Sequence, residues 1–498
     1  MRFWHVAVAA LVIACGGCTA AQQAGTDAGT DAGTDDEKLN LELFGYNDLQ
    51  ARSAYQPFIK QQGDRWITYV GHHAGVQPNP LTGQEEVNGT SIVDVTDPSQ
   101  PRYLAHIPGE EGASGGAQMA QVCSGLELPR GEDGKFYLLR SLGNSGHEIW
   151  DVTEPAAPSR LTLLVSGLTG THKNWWECDT GIAYLVAGDP EWRTDRMTKI
   201  YDLSDPMEPV FIRDFGLPGQ QPGATGPVPI GLHGPVSVGP QGNRLYFGYG
   251  TARGGVVQIV DREKLLTGPK EPTEANLLHP QVSRSDLPPD AGAHTTFPLL
   301  GMELAEFAKQ KVGTPAAAAE GDEGASASSP RPQASRDFVA VVSETTANEC
   351  LQPRQLVRFV DVTTESKPYG ASTWTVTEAS GNFCDRGGRF GAHASQESFN
   401  PIYHNRVLFV TFFNAGVRAL DVRDPFNPKE IAYFVPSVTP NTDERCVGTG
   451  DAQRCKTAIQ TNNVEVDDRG YIYIVDRANT GMHILELTGP AREVANFP

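Results

Sequence analysis

The chain has little of what the commonest functional classes require. It contains no Walker loop, no dinucleotide-binding glycine fingerprint and no His-Glu-x-x-His motif, so nucleotide-binding and zinc-protease functions lose their usual support. No apolar run reaches the about 18 residues that a transmembrane helix needs. The formal net charge is -20 and no basic run is present. Direct binding to nucleic acid or to an anionic membrane surface is therefore disfavoured.

The N-terminus, in contrast, predicts export. The apolar stretch from Val6 to Ala14 is too short to span a bilayer, which is typical of a signal peptide over residues 1–14. Val12-Ile13-Ala14-Cys15 resembles the bacterial lipobox, which implies cleavage before Cys15 and acylation of that cysteine, with Cys18 as the second choice. We therefore expect a cell-envelope protein anchored in a membrane by lipid, on the periplasmic or cell-surface side. The alternative is an ordinary cleaved signal and a secreted protein.

Residues 15–38 predict a disordered tether. From Thr26 to Lys38 this segment repeats Thr-Asp-Ala-Gly and contains no aromatic or branched aliphatic residue. Such a composition cannot bury enough apolar surface to offset its chain entropy. The folded part is expected to begin at residue 39.

One phrase then returns seven times. It is an apolar run that carries an acidic residue, usually followed by Thr or Ser, and its fullest form is Ser91-Ile92-Val93-Asp94-Val95-Thr96-Asp97-Pro98. A unit of this size indicates an array of one supersecondary element. The acidic positions are Asp94, Asp151, Asp202, Asp261, Asp361, Asp421 and Glu486.

Each unit predicts four short strands, A to D. In the fourth unit, strand A lies near Pro235–Val238, strand B at Arg244–Gly248, strand C on the repeat phrase and strand D after it. Seven such units without alternating helices predict an all-β fold, a seven-bladed β-propeller of four-stranded antiparallel blades over residues 39–498. The strand-like run Leu39–Phe44 precedes the first unit, so we expect it to close the ring as strand D of the last blade.

The longest gap between repeats predicts an insertion. The spacing from Asp261 to Asp361 is nearly twice that of the other repeats. Within it, Met302–Lys311 indicates a short helix, and about 312–336 is a low-complexity mixture of Ala, Gly, Ser, Pro and acidic residues. We expect a disordered insertion in the A–B turn of the fifth blade.

The repeat phrases resemble a known family. Ile92-Val93-Asp94-Val95-Thr96-Asp97-Pro98 and Ala419-Leu420-Asp421-Val422-Arg423-Asp424-Pro425 are similar to the LVIVD repeat of exported and surface propeller-like proteins in bacteria and archaea. The resemblance implies a propeller and a surface location, but no single activity and no catalytic residues. Copies four, five and seven lack Asp-Pro-x-x-Pro, which leaves the shape of their C–D turns open.

Six cysteines remain after Cys18, and they predict three disulfides. An even number of cysteines in an exported chain makes disulfides the default, and none of these six forms a Cys-x-x-Cys pair. Two of them flank a short polar loop, and the repeat alignment gives the other two pairs. The predicted pairs are Cys446 with Cys455, Cys350 with Cys384, and Cys123 with Cys178.

The repeat alignment also places a histidine just before strand A in four consecutive blades, at the mouth of the central channel. The corresponding regions of the other blades are Arg52–Tyr55, Gln118–Gln121 and Gln460–Asn463. One interpretation is a Cu, Fe or Zn site, with nearby glutamates as outer partners. The other is a duplicated structural histidine that donates to a backbone carbonyl of the next blade. The histidines are His172, His233, His294 and His393, and the glutamates are Glu177, Glu303, Glu397 and Glu465.

The sequence favours a binding or interaction scaffold over an enzyme. Trp176 and Asn463 join the four histidines as candidate ligand-binding residues, and the polar loop Leu217–Pro227 suits a lid. Candidate partners are an envelope protein, a glycan or a small molecule. A metal-dependent exported enzyme and a structural envelope protein are the alternatives, and no catalytic residue is assigned.

Overall fold

The computed structural model describes residues 36–110, 116–304 and 335–498, and strands predominate in it. Seven four-stranded antiparallel sheets are present, together with two two-stranded hairpins. The predicted seven-bladed β-propeller is confirmed. No helix in the described ranges has the length and apolar character required to cross a membrane.

The first three blades follow the predicted A–D order. The first described strands are β1 (Glu37–Leu39) and β2 (Leu41–Asn47). Blade 1 contains β3 (Ala54–Gln62), β4 (Arg65–His72), β7 (Thr90–Asp94) and β8 (Arg102–Ile107), with the hairpin β5 (Val76–Asn79) and β6 (Gln84–Val87) between its strands B and C. Blade 2 contains β9 (Ala120–Ser124), β10 (Phe136–Leu142), β11 (Gly146–Asp151) and β12 (Ser159–Val165). Blade 3 contains β13 (Asn174–Trp176), β14 (Ile182–Ala187), β15 (Met197–Asp202) and β16 (Val210–Phe215).

The next two blades carry additions at their turns. Blade 4 contains β17 (Leu232–Ser237), β18 (Arg244–Tyr249), β19 (Val256–Asp261) and β20 (Gln281–Asp286), with helix α1 (Gly239–Gly242) between A and B, and α2 (Arg262–Thr267) and α3 (Glu274–Leu278) between C and D. Blade 5 contains β21 (Thr295–Glu303), β22 (Ser335–Val342), β23 (Val357–Asp361) and β24 (Tyr369–Trp374).

The last two blades share the N-terminal strands. Blade 6 contains β25 (Val407–Thr411), β26 (Val417–Asp421) and β27 (Lys429–Val435), and β1 is its fourth strand. The hairpin β28 (Glu444–Val447) and β29 (Arg454–Thr457) follows it. Blade 7 contains β30 (Thr461–Val466), β31 (Ile472–Asp476), β32 (Met482–Leu487) and β2, and helix α4 (Gly489–Arg492) follows β32.

Ring closure takes the predicted form with shifted boundaries. Strand β2 pairs antiparallel with β32 as strand D of blade 7. Leu39, however, belongs to β1, which pairs with β27 of blade 6. Because β1 begins at Glu37, the last two residues of the predicted tether are part of the ring.

Several sequence predictions fall partly or wholly outside the described residues. Cys15, Cys18 and the tether up to residue 35 lie outside them, as does the predicted insertion up to residue 334. Ser335 and Arg336, assigned to that insertion, instead begin β22. Met302 ends β21 with Glu303 and is not helical, because its backbone pairs with Arg336.

The repeat phrase forms strand C and the turn that follows it. In all seven blades the pairing of C with D carries a β-bulge two residues before the acidic position. In blade 1, Asp94 Oδ1 accepts from the Thr96 N–H at 3.0 Å, and Thr96 Oγ1 accepts from the Trp66 N–H at 3.1 Å. The phrase thus shapes the turn and joins it to strand B.

The three shortened copies of the phrase end differently. In copy five, Asp361 Oδ1 accepts from the Thr363 N–H at 2.9 Å, so the turn is retained. In copy four, Asp261 is the N-cap of α2 and accepts from the Lys264 N–H at 3.0 Å. Copy seven runs into α4, since its strand D comes from β2.

The hydrophobic core is divided among the seven contacts between neighbouring blades. Each of seven buried clusters draws its members from two adjacent blades. Along β18, Leu245 and Phe247 face blade 3, whereas Tyr246 between them faces blade 5. Strand alternation therefore gives every central strand two apolar faces, as a ring of radially packed sheets requires.

All three predicted disulfides are present. Cys123–Cys178 joins strand A of blade 2 to the residues just after strand A of blade 3. Cys350–Cys384 joins the B–C connection of blade 5 to the segment that leads into blade 6. Cys446–Cys455 closes the hairpin of β28 and β29.

Candidate functional site

The four predicted histidines meet at one end of the central channel. We call this end the upper face; it carries the start of each strand A and every B–C connection. The ring centroids of His172 and His233 are 4.6 Å apart, those of His233 and His294 3.7 Å, and those of His294 and His393 4.3 Å. These four residues are called the ring histidines below. Each is at most 5% exposed.

The positions relative to strand A differ slightly from the prediction. His172 and His294 precede β13 and β21, but His233 is the second residue of β17. His393 precedes a single bridge between Ser395 and Val410 that occupies the innermost position of blade 6. The imidazoles still converge, because a strand start points toward the axis in every blade.

Tyr55 of blade 1 closes the circle. Its ring lies 4.9 Å from that of His172 and 6.1 Å from that of His393, and its hydroxyl is 3.1 Å from His172 Nε2. Blade 2 contributes Gln118 and blade 7 contributes Asn462. All seven blades therefore contribute a polar or aromatic side chain to this level of the channel.

One side of each ring histidine is held by an acceptor. His233 Nδ1 donates to the carbonyl oxygen of His294 at 2.7 Å, and His393 Nδ1 donates to that of Asn462 at 2.6 Å. The structural interpretation, a bond to a carbonyl of the next blade, is thus correct for these two side chains. His172 Nδ1 contacts Gln118 Oε1, and His294 Nδ1 lies 3.0 Å from Thr295 Oγ1.

The other side of each imidazole faces its neighbours. His172 Nε2 and His233 Nε2 are 2.9 Å apart. His294 Nε2 is buried and has no hydrogen-bond partner among the described residues. The Nδ1 bonds therefore leave the Nε2 atoms for chemistry inside the channel.

Burial keeps the ring histidines neutral. Desolvation lowers the pKa of all four well below the ordinary value, and nearby cations lower it further, among them Arg196, Lys173 and Arg477. His73 completes the cluster: its Nδ1 is 2.7 Å from Gln118 Nε2, and burial lowers its pKa in the same way. Neutral imidazole is the form that binds metal ions.

Glu344 brings a carboxylate to this cluster. One ligand atom from each of His233, His294 and Glu344 lies within 4.8 Å of the others, and Glu344 Oε1 is 3.9 Å from His393 Nε2. Arg389 and Arg477 approach the same oxygen at 2.9 and 3.7 Å. The carboxylate thus lies between imidazoles and guanidinium groups.

Further down the channel, the histidines give way to one lysine and two glutamates. Lys173 forms a buried ion pair with Glu397. Glu465 Oε1 accepts from the backbone N–H of Glu397 at 2.5 Å, and burial raises the pKa of Glu465 to about 8. A neutral carboxyl group therefore lies directly beside the Lys173–Glu397 pair.

The lower end opens into a cavity of about 250 Å³. Its walls combine aromatic rings, carboxylates and amides; they include Phe58, Trp66, Trp175, Phe399, Glu397 and Glu465. Phe399 packs edge-on against Trp175 at 6.0 Å. The upper and lower ends of one channel thus differ sharply in chemistry.

The structure corrects the placement of Trp176 and clarifies that of Asn463. Trp176 lies in the core between blades 2 and 3 and borders the lower cavity, so it does not line the upper face. The reason is its place in β13, four residues below His172. Asn463 is buried next to Asn462, and its side-chain amide lies between Gln56 and His393, with one amide atom 3.1 Å from His393 Nδ1.

The proposed outer glutamates are also wrong. Among the described residues, none of the four hydrogen-bonds a ring histidine. Glu177 pairs with Arg262 at 2.5 Å, and Glu303 ends β21 on the surface. Each lies several residues beyond the ring position of its own blade, and at about 3.3 Å per residue strand A carries it away from the ring.

Long, braced connections surround the channel mouth. Two of the three disulfides and both extra hairpins lie in B–C or D–A connections. The predicted lid loop is held by Arg193, which donates to the carbonyl oxygens of Gly219 at 2.9 Å and Gly226 at 2.6 Å. The upper face is therefore a fixed platform around the ring histidines.

Sequence reasoning missed three members of the site. Tyr55 and Gln118 lie in the segments that align with the histidines, so their alignment was the available signal. Glu344 comes from a B–C connection that has no counterpart in the other repeats. Nothing in the sequence around it indicates a place at the axis.

Comparisons with known proteins assign no family to this chain. No protein-family model matches the chain, so membership of the LVIVD family stays a prediction. No curated protein matches it either.

Three solved structures are similar to this chain at 10% identity. Raptor from Chaetomium thermophilum has a TM-score of 0.47, with 90% of this chain and 29% of that chain covered. The WD40 β-propeller domain of Doa1 has a TM-score of 0.45, with 91% and 98% covered. Sqt1 from Chaetomium thermophilum has a TM-score of 0.43, with 90% and 99% covered. Similarity at this level says nothing about shared partners.

Proposed function

We propose that this protein is a lipid-anchored β-propeller of the cell envelope whose upper face binds a partner protein. The observation that carries the proposal is the distribution of exposed apolar side chains on the connections between strands. Six of the large ones in the described residues lie on the upper face, against three on the lower face. The upper set is Val76, Leu81, Val228, Ile230, Leu351 and Val438, and the lower set is Leu126, Met207 and Leu278.

Exposed apolar groups on braced loops are what a binding surface needs. Leu351 is 67% exposed next to Cys350, and Val438 is 53% exposed in the connection that leads to the Cys446–Cys455 hairpin. A disulfide beside such a side chain reduces the conformational entropy that binding must remove. Aliphatic anchors of this kind suit a protein partner better than a glycan, which is bound mainly by hydrogen bonds and aromatic stacking.

Site-specific photo-crosslinking in the native host tests the face. A photoreactive residue is placed at Leu81, Leu351 or Val438, and matched controls carry it at Leu126 or Met207. We expect the upper positions to give adducts with one shared envelope protein and the lower positions to give none. Equal crosslinking from both faces, or none from the upper face, contradicts the proposal.

The anchor is tested separately. Cys15→Ser is expected to abolish labelling by a radioactive fatty acid and to release the protein from the membrane fraction. Cys18→Ser is expected to keep both the label and the membrane association. Loss of labelling only in Cys18→Ser moves the anchor to that residue. Labelling in neither the wild type nor the variants points to a secreted protein. The support for the anchor is the short apolar stretch that ends at Cys15.

A further inference from the structure

We propose that three groups at the axis, His233, His294 and Glu344, form a binding site for one first-row transition-metal ion, with His172 and His393 as further imidazoles beside it. This inference does not depend on the proposed function. It requires only the arrangement of side chains at the axis, and its test does not involve a partner protein.

The hydrogen bonds at Nδ1 fix the tautomers of His233 and His393. His233 and His393 donate Nδ1–H to backbone carbonyls, so the Nε2 atom of each carries the lone pair. Metal-bound histidines show this same arrangement, because a bond to an outer acceptor fixes the tautomer and the ring orientation. The Nδ1–H bond to a backbone carbonyl, present in both histidines, thus also leaves each Nε2 atom ready to coordinate a metal ion.

The Nε2 atoms of His172 and His233 face each other. Gln118 places its oxygen at His172 Nδ1 and its nitrogen at His73 Nδ1, so His172 also carries its lone pair on Nε2. Two lone pairs then face each other across 2.9 Å. The Tyr55 hydroxyl, 3.1 Å from His172 Nε2, shares one of these lone pairs, and a cation bonded to both nitrogens would relieve the repulsion between them.

The spacing fits coordination to a common ion. Two nitrogens bonded at about 2.0–2.1 Å and at a right angle lie about 2.9 Å apart, and the centres of their rings lie about 4.5 Å apart. The observed nitrogen separation is 2.9 Å, and the centroid separations are 4.6, 3.7 and 4.3 Å around the ring. The His172–His233 pair therefore matches adjacent ligands, and His233, His294 and Glu344 each offer a ligand atom within 4.8 Å of the others.

An unpartnered buried nitrogen supports the same conclusion. His294 is 1% exposed, and its Nε2 has no hydrogen-bond partner among the described residues. Leaving such a group unpaired in the interior is unfavourable. Coordination of an ion at the axis would give this atom a partner.

The donor set selects the class of metal. Imidazole nitrogens suit Cu, Zn, Ni and Fe, whereas Ca²⁺ and Mg²⁺ require mainly oxygen ligands. Glu344 supplies the negative charge that offsets the ion, and it is already oriented by Arg389. Copper is the best probe, because Cu²⁺ exceeds Ni²⁺ and Zn²⁺ in affinity for nitrogen sites.

The test uses the untagged protein after removal of metals by a chelator. It is titrated with Cu²⁺ and, in parallel, with Zn²⁺ and Mg²⁺, and bound metal is measured by mass spectrometry. We expect about one Cu²⁺ or Zn²⁺ per chain with a Kd below about 1 µM, no Mg²⁺, and nitrogen hyperfine splitting in the Cu²⁺ electron paramagnetic resonance spectrum.

Matched variants assign the site. His233→Gln is expected to weaken Cu²⁺ binding by more than about 100-fold, and Gln118→Leu, which removes an outer partner only, by about 10–100-fold. His483→Gln removes an imidazole of blade 7 that is equally buried but outside the ring, and it should leave binding unchanged. Circular dichroism confirms folding; if His233→Gln does not fold, Gln118→Leu and His294→Gln carry the test.

Two results overturn the proposal. The first is the absence of stoichiometric Cu²⁺ and Zn²⁺ binding by the folded wild-type protein, which would mean that Gln118 is reversed and that His172 donates to His233. The second is Cu²⁺ binding that persists unchanged in folded His233→Gln and Gln118→Leu, since the ion would then lie elsewhere.

Discussion

At its upper end the central channel is filled by imidazoles, whereas at its lower end it opens into a cavity walled by carboxylates and aromatic rings. The two ends lie on the same inner strands, only a few residues apart. Burial acts on both but in opposite directions: it lowers the pKa of the histidines and raises that of Glu465 to about 8. Both ends therefore hold neutral groups beside charged pairs, which are Glu344 with Arg389 at the upper end and Lys173 with Glu397 further down the channel.

This contrast shows how a repeat can support two environments. The backbone of strand A is much the same in each blade, and position along it decides the chemistry. Near its start, short bonds to the next blade fix the side chains. Near its end, the strands diverge and leave room for a cavity. Predictions that change one end and not the other test the contrast.

Acidification has the largest expected effect and acts on the upper end. In the metal-free protein the pKa of each ring histidine lies well below its unfolded value near 6.5. Below that pH the unfolded chain binds more protons, so the free energy of unfolding falls as the pH falls. Each fully shifted histidine contributes up to about 1.4 kcal/mol per pH unit.

We therefore expect a loss of several kcal/mol between about pH 6.5 and pH 5, measured by urea unfolding. The charged groups that face the ring are Lys173, Arg196, Arg389, Arg477 and Glu344. His279→Asn, at an exposed position, should leave the slope unchanged. A stability that is flat over this range would show that the imidazoles are hydrated and titrate normally.

Breaking the ion pair between the two ends ranks second. Lys173→Met leaves Glu397 without its partner in a buried site, and the side chains are 2% and 8% exposed. Removal of one member of such a pair costs about 3–5 kcal/mol. The double variant Lys173→Met/Glu397→Gln should recover much of that loss.

The matched control is the exposed pair of Lys38 and Glu42. Lys38→Met should cost less than about 1 kcal/mol. Urea unfolding at neutral pH measures all three variants. Equal losses from the buried and the exposed pair would mean that water reaches the middle of the channel.

Glu465→Gln acts on the lower end and has the opposite sign. Because the folded pKa of about 8 exceeds the unfolded value near 4.5, the native state binds the extra proton between these values. Stability from this group therefore falls as the pH rises from about 4.5 to 8. The neutral amide removes that dependence.

We expect Glu465→Gln to stabilise the protein by up to about 4 kcal/mol at pH 8 and to have little effect near pH 4.5. Thermal unfolding at the two pH values measures the difference. Glu344→Gln is the control at the upper end, where Arg389 pairs with the carboxylate, and it should destabilise. A loss of stability in Glu465→Gln at pH 8 would contradict the assignment of a neutral carboxyl group.

The smallest predicted effect concerns the closure of the ring. Tyr55→Phe removes the hydroxyl that lies 3.1 Å from His172 Nε2 and keeps the aromatic packing. The loss of one buried hydrogen bond costs about 1 kcal/mol. Tyr46→Phe, which removes a half-buried hydrogen bond to the Thr480 carbonyl, is the comparison. A larger loss of stability in Tyr46→Phe than in Tyr55→Phe would contradict a stabilising role of the Tyr55 hydroxyl in the ring.

Much of this architecture could be predicted from the sequence. The acidic position of the repeat fixes strand C and its bulge, so the count of seven gave seven blades. Two of the three disulfides followed from the same alignment, and Cys446–Cys455 followed from the short loop that it closes. The four histidines were found because each stands at an equivalent point, and equivalence in a closed ring means proximity.

The remainder depends on direction and depth, which a repeat does not encode. The distance of Glu397 and Glu465 from the ring follows from how far strand A runs down the channel. Trp176 was misplaced because two tryptophans in sequence point to opposite sides of a strand. Glu344 reaches the axis from a connection whose path no repeat predicts.

The N-terminal strands also determine how the ring responds to tension. Strand β1 pairs with β27 over three residues, and β2 pairs with β32 along most of its length. A pulling force transmitted through the residues before Asp36 therefore acts first on the short β1 pairing and only afterwards on the strand that closes blade 7. The hydrogen bonds between β1 and β27 would therefore break first under load, while the channel and its upper face stay intact.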